Sequence, residues 1–103
     1  MNGDRKQLGI IGFGQFGQFM ARHLAPHFDV LVCDAGNCSA DAAAIGVRWA
    51  EFDEVASSDV VVFAVPLSAL EAVVKAAAAL LKPGTLCLDV CSVKIEPFRI
   101  MLK

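Results

Sequence analysis

Leu8-Gly9-Ile10-Ile11-Gly12-Phe13-Gly14-Gln15-Phe16-Gly17, with Asp34 standing seventeen residues after Gly17, is the stretch that decides the fold. It spells G-x-G-x-x-G between a strand-like run and a helix-like run. The acid closes a second apolar run, Asp29-Val30-Leu31-Val32-Cys33-Asp34. Glycines cluster in turns for many reasons, so the bare motif says little. The strand before it, the helix after it, the second strand and the closing acid together give it the context of a dinucleotide-binding unit. Each residue type has a physical task there. Gly12 lets the chain turn tightly out of the strand, Gly14 has no side chain to block a pyrophosphate, and Gly17 lets the new helix lie close on the sheet. The first N–H groups of that helix face the diphosphate, backed by the positive end of the helix dipole. Asp34 is placed to accept hydrogen bonds from the adenosine ribose hydroxyls.

Outward from this unit, strand and helix patterns alternate to the end of the chain. Strand one covers Gln7 to Gly12, and the first helix Gln15 to Ala25, with Phe16, Met20 and Leu24 on one face. Pro26 stops it. Strand two, Asp29 to Asp34, is apolar throughout, as a strand buried on both faces of a parallel sheet must be. A short helix over Ala40–Ile45 has Asn37 or Ser39 near its start and Gly46 as its stop. Val47-Arg48-Trp49 reads as a third strand, Phe52 to Ala56 as a turn or two of helix, and Asp59 to Val65 as strand four, ended by Pro66.

Ser68 and Glu71 then spell a capping box, and Leu70, Val73, Val74, Ala77, Leu80 and Leu81 form one apolar stripe up to Pro83-Gly84. Strand five is Thr85 to Val90. A last helix begins near Glu96-Pro97 with Phe98, Met101 and Leu102 on its inner side. Right-handed parallel crossovers between such elements give an α/β fold: a Rossmann-type, doubly wound parallel sheet of about five strands in order 3-2-1-4-5. The ligand crevice is expected where strands one and four diverge.

The 103 residues form one dinucleotide-binding domain, enough to bury roughly two-thirds of the unfolded chain's surface. Hydrophobic residues make up 56% and charged residues 19%, which excludes a disordered chain. The apolar stretches are strand-sized or broken by Lys75 and Lys82, so none spans a bilayer. The first seven residues carry charge with no apolar segment behind them, and no secretory signal is read there. A net charge of −2 without a basic run makes nucleic acid an unsuited partner. Cys33, Cys38, Cys87 and Cys91 include no CxxC pair and no His at ligand spacing, so they read as buried thiols rather than disulfides or a metal site. A cytoplasmic chain with no metal is the expectation.

Four segments reach the carboxyl rim of such a sheet: Phe13 to Phe16, Asp34 onward, Ala64-Val65-Pro66, and Cys91-Ser92-Val93-Lys94. With Gly12, Gly14, Gln15 and Gly17 they make up the expected cofactor contacts. Asp34 argues for NAD over NADP. A carboxylate hydrogen-bonded to ribose hydroxyls contributes roughly 1.5–3 kcal/mol, and its charge repels a 2′-phosphate. Ala35-Gly36-Asn37 brings no Arg or Lys to receive one. Ser92 either hydrogen-bonds at the nicotinamide end or caps the last helix. His23 and His27 have Pro26 between them and lie about 15 Å from the glycine loop at ~1.5 Å per residue, which argues against catalysis or metal binding.

Three stretches together resemble one family. Gly9 to Phe19 is similar to the opening of prephenate and arogenate dehydrogenases, Phe63-Ala64-Val65-Pro66 to their strand-four turn, and Asp89-Val90-Cys91-Ser92-Val93-Lys94 to their D-V-x-S-V-K segment. The glycine motif is shared by many dehydrogenases; the Ser-Val-Lys segment is much more specific. The resemblance implies NAD-dependent oxidative decarboxylation in tyrosine biosynthesis, with prephenate or arogenate as the small-molecule substrate. It also implies that Ser92 hydrogen-bonds a catalytic histidine about twenty residues further on. That histidine, the substrate-holding arginines and the helical dimerisation domain of the family have no counterpart in these 103 residues. The chain is therefore expected to be the cofactor half of a cytoplasmic or plastid enzyme, inactive alone, with association into a homodimer a further expectation. Two other readings compete: a different NAD-dependent small-substrate dehydrogenase, and a nucleotide-binding module without chemistry.

Overall fold

A computed structural model describes residues 5–89. Five strands, β1 (Gln7–Ile11), β2 (Asp29–Cys33), β3 (Arg48–Trp49), β4 (Val60–Phe63) and β5 (Leu86–Asp89), form a single all-parallel sheet in the order β3-β2-β1-β4-β5. Between them run α1 (Gln15–Leu24), α2 (Ser39–Ile45), α3 (Phe52–Ala56) and α4 (Leu67–Ala78). The expected doubly wound sheet is what forms. The last helix expected near Glu96, together with Cys91, Ser92 and Lys94, lies outside the described residues.

The period of two along each central strand splits the core into two layers. Leu8, Ile10, Val30, Val32, Val60 and Val62 face one side, where Phe16, Met20 and Leu24 of α1 pack on them. Ile11, Leu31, Cys33, Val61 and Phe63 face the other, under Val55 and Ala56 of α3 and Ala77 of α4. Because both faces are covered, β1, β2 and β4 must be apolar at nearly every position. Gly9 is the exception that the glycine reading passed over. It faces α3, and a Cβ there would run into the Val55 carbonyl oxygen.

Three expectations are corrected. The capping box does not form: α4 starts at Leu67 with Pro66 as N-cap and no side-chain cap bond. Pro66 holds extended backbone (ψ 151°) directly ahead of Leu67, so Ser68 falls inside the first turn. Glu71 pairs instead with Lys75 one turn on, at 3.3 Å. Val74 drops out of the apolar stripe and is exposed, while Leu70, Val73, Leu80 and Leu81 pack against the core. Of the thiols, Cys33 is buried and Cys38 partly so, but Cys87 is exposed. It stands on β5, at the edge of the sheet with Leu86 and Leu88, both also exposed.

Candidate dinucleotide site

The glycine loop begins where β1 ends. Gly12 takes φ +105°, a backbone region that favours glycine, and any Cβ there would lie 2.5 Å from the Ala64 carbonyl oxygen. Its N–H donates to the Cys33 carbonyl at 2.8 Å, and the Ala64 N–H donates to the Ile11 carbonyl at 2.8 Å. The turn is thus tied to the ends of β2 and β4. Gly14 is the N-cap of α1, and a Cβ on it would meet nothing within 4 Å. Gly17 sits one turn later, where a Cβ would collide with the Gly12 carbonyl oxygen. The three glycines therefore answer different demands: Gly12 and Gly17 are required by the fold itself, whereas Gly14 leaves open space where a ligand could approach.

Asp34 joins the loop to the second strand. Its Oδ1 accepts the Phe13 N–H at 3.1 Å, and its Oδ2 receives only a long contact, 3.9 Å, from the Cys38 thiol. The residue is exposed, so one carboxylate oxygen keeps most of its hydrogen-bonding capacity. Phe13 contributes through its backbone alone. Its ring is 2% exposed within the core layer under α1, and burying a phenyl ring is worth about 1.5–3 kcal/mol. The residue type at position 13 is thus a packing requirement. Phe16 packs on the same layer, with its ring stacked on Phe19 at 5.9 Å. Gln15 is exposed in the first turn of α1, whose first N–H groups have no partner within the helix.

A cavity of about 680 Å³ opens beside this loop, at the carboxyl ends of the strands. Ile11, Gly12, Cys33 and Asp34 form one wall. Val65 and Pro66 form another with Ala69 and Val73 of α4, so strand four's turn does reach the cavity, while Ala64 backs the loop. A third wall, Trp49 to Phe52, was not anticipated. It was legible in principle: strand three lies beside strand two in the expected order, so the residues just after it must stand beside Asp34. The walls are largely apolar. Among the described residues, no Lys, Arg or His lines the cavity. Burial, with the charges of Asp34 and Glu51 adding to it, pushes the Cys33 thiol up to about 12, so it stays protonated and inert at neutral pH.

The arrangement can hold a molecule with an apolar, flat part, adjacent hydroxyls and a diphosphate. The described residues include no base poised over it. His23 and His27 are exposed, away from the cavity, and the His23 ring rests on Phe19 at 4.4 Å. No group of three or more potential metal ligands occurs among the described residues, and no described helix is long and apolar enough to cross a membrane.

Comparison with known proteins agrees with this geometry. The family model for the prephenate dehydrogenase nucleotide-binding domain matches residues 18–103. That match starts just beyond the glycine loop. Arogenate dehydrogenase 1, chloroplastic, of Arabidopsis thaliana is 30% identical over 99% of this chain, which spans 17% of that protein. Among solved structures, D-lactate dehydrogenase of Escherichia coli superposes with a TM-score of 0.70 at 28% identity, over 86% of this chain and 29% of that one. D-lactate dehydrogenase of Aquifex aeolicus, complexed with NAD and lactic acid, gives 0.68 at 27% identity, over 82% and 26%. The (S)-3-hydroxybutyryl-CoA dehydrogenase PaaH1 of Ralstonia eutropha shares the fold at 0.71 with 13% identity, over 84% and 41%. The chain belongs to the prephenate dehydrogenase nucleotide-binding domain family, the NAD-binding part of a group of NAD-dependent oxidoreductases.

Proposed function

We propose that this chain is the NAD-binding half of a prephenate or arogenate dehydrogenase of tyrosine biosynthesis. The observation that carries the reading is Asp34, which lines an open cavity and holds the glycine loop through Phe13 with only one of its two oxygens. The site fits the cofactor: beside the cavity the space over Gly14 is clear, and within it apolar walls flank Asp34 on the loop side. When bound, NAD⁺ would supply the acceptor for a hydride leaving the hydroxyl-bearing carbon of the substrate. The chain's own part is binding and orientation. The first N–H groups of α1 hold the diphosphate, Asp34 holds the adenosine ribose, and Val65, Pro66 and Val73 keep water from the adenine.

In this reading the base, the substrate-binding arginines and the dimer contacts come from a helical domain outside these 103 residues. Ser92 hydrogen-bonds the catalytic histidine of that domain and reaches the nicotinamide end. The chain alone binds dinucleotide and does not turn over substrate. Its place is the cytoplasm, or the plastid stroma in a plant. Calorimetric titration tests this directly. NAD⁺ is expected to bind and NADP⁺ to bind far more weakly. A preference for NADP⁺ would overturn the role of Asp34, and failure to bind either would overturn the cofactor-half reading. NAD⁺-dependent oxidation of prephenate or arogenate by the chain alone would overturn its inactivity.

A further inference from the structure

We propose that Glu51 is a second specificity-determining residue of this cavity, a carboxylate that acts beside Asp34 to turn away a ribose 2′-phosphate. The inference rests on the dinucleotide reading above and deepens it. Strand register places the two acids together. Val32 pairs with Trp49, and the Ala50 N–H continues the ladder to the Val32 carbonyl at 3.0 Å. Asp34 and Glu51 each stand two residues beyond that pair, on neighbouring parallel strands spaced about 4.8 Å apart. Glu51 is still extended, at φ −71° and ψ 155°, so the strand direction carries through to it. Both residues line the same cavity.

The Glu51 side chain is not used elsewhere. It is the N-cap residue of α3 but makes no side-chain cap bond. The nearby guanidinium of Arg48 is engaged by Asp29 at 3.2 Å and by Glu54 at 3.9 Å. Among the described residues nothing neutralises Glu51. Its charge and that of Asp34 both act on the thiol of Cys33, the last residue of β2. A 2′-phosphate carries nearly two negative charges at neutral pH. It would enter a site holding two carboxylates and, among the described residues, no lining cation. Removing Asp34 alone leaves the second charge in place, so that single change should not convert the site to NADP⁺.

Trp49, the chain's single tryptophan, lines the cavity, so a change in its fluorescence is the readout of binding. NAD⁺ and NADP⁺ are titrated into the wild-type chain, Glu51→Gln, Glu51→Asp, Asp34→Asn and the double variant Asp34→Asn/Glu51→Gln, with calorimetry alongside. Glu51→Gln should raise NADP⁺ affinity relative to NAD⁺ roughly tenfold, while Glu51→Asp keeps the charge and the rejection. The double variant should accept NADP⁺ better than either single change. Unchanged NADP⁺ affinity relative to NAD⁺ in both Glu51→Gln backgrounds, with NAD⁺ binding intact, overturns the role of Glu51 and leaves the dinucleotide reading standing. Loss of NAD⁺ binding in the wild type overturns both.

Discussion

Two aspartates at opposite ends of the sheet, Asp59 and Asp34, are employed differently. At the amino end, Asp59 is fully engaged. Its Oδ2 accepts the Gln7 N–H at 3.1 Å, and its Oδ1 accepts the Lys82 ammonium at 3.2 Å. Its backbone bonds the carbonyl of Gln7 at 2.9 Å and the N–H of Leu86 at 3.1 Å, and next to it the buried Ser58 hydroxyl takes the Gln7 amide at 2.9 Å. That end is a clasp joining β1, β4 and β5. At the carboxyl end, Asp34 makes one such bond, to the Phe13 N–H, and lines a cavity without a lining cation among the described residues. An acid whose partners are all internal holds the fold; an acid with capacity left over can serve a ligand.

The sharpest way to break this contrast is to disturb the glycines that shape the open end. Gly17→Ala forces a methyl into the Gly12 carbonyl and should cost about 2–3 kcal/mol. Gly9→Ala, which meets the Val55 carbonyl, should cost a similar amount. Gly14→Ala meets nothing and should shift stability by only about 0.5 kcal/mol, yet weaken NAD⁺. Urea midpoints and titration separate the two outcomes. A Gly14→Ala chain as unstable as Gly17→Ala would mean that all three glycines serve the fold.

Next in size is the exchange of roles between the acids. Asp34→Ala should lower NAD⁺ affinity by about 10- to 100-fold and, through the lost Phe13 bond, cost about 1 kcal/mol of stability. Asp59→Asn should leave NAD⁺ affinity alone. Equal losses of affinity in both variants would erase the distinction between the two ends.

The smallest expected effect is a pH dependence at the clasp. The Gln7 N–H first, and Lys82 after it, hold the Asp59 carboxyl below its ordinary value of 3.8. A carboxyl lowered in the folded state contributes stability above its unfolded value and loses it as pH falls through the folded one. Wild type should therefore exceed Asp59→Asn in stability at pH 7 and converge with it in strong acid. A gap that stays constant from pH 7 down to about pH 2 would show that the bonds of Asp59 do not depend on its charge.

Much of this was legible in the chain itself, and the rest depended on what comes together in space. Spacing alone located Gly12, Gly14, Gly17 and Asp34, because a tight turn, a close helix and a strand-end acid each demand one residue type at one position. Apolar runs bounded by Pro66 and Pro83-Gly84 located β4 and α4, and alternation of strand and helix predicted the order of the sheet. Local signals erred where a long-range or backbone demand overrode them: Pro66 displaced the Ser68 cap, and the edge position of β5 left Cys87 exposed.

Only the tertiary structure decided that Gly9 admits α3 and that Phe13 is a core ring offering its N–H to Asp34. Those facts depend on residues about 21 to 46 positions apart, and no local pattern encodes the distance between them. Periodicity in a chain records which face of an element is buried. What lies across from that face is settled when the sheet assembles and neighbouring strand ends come within a few ångströms of one another.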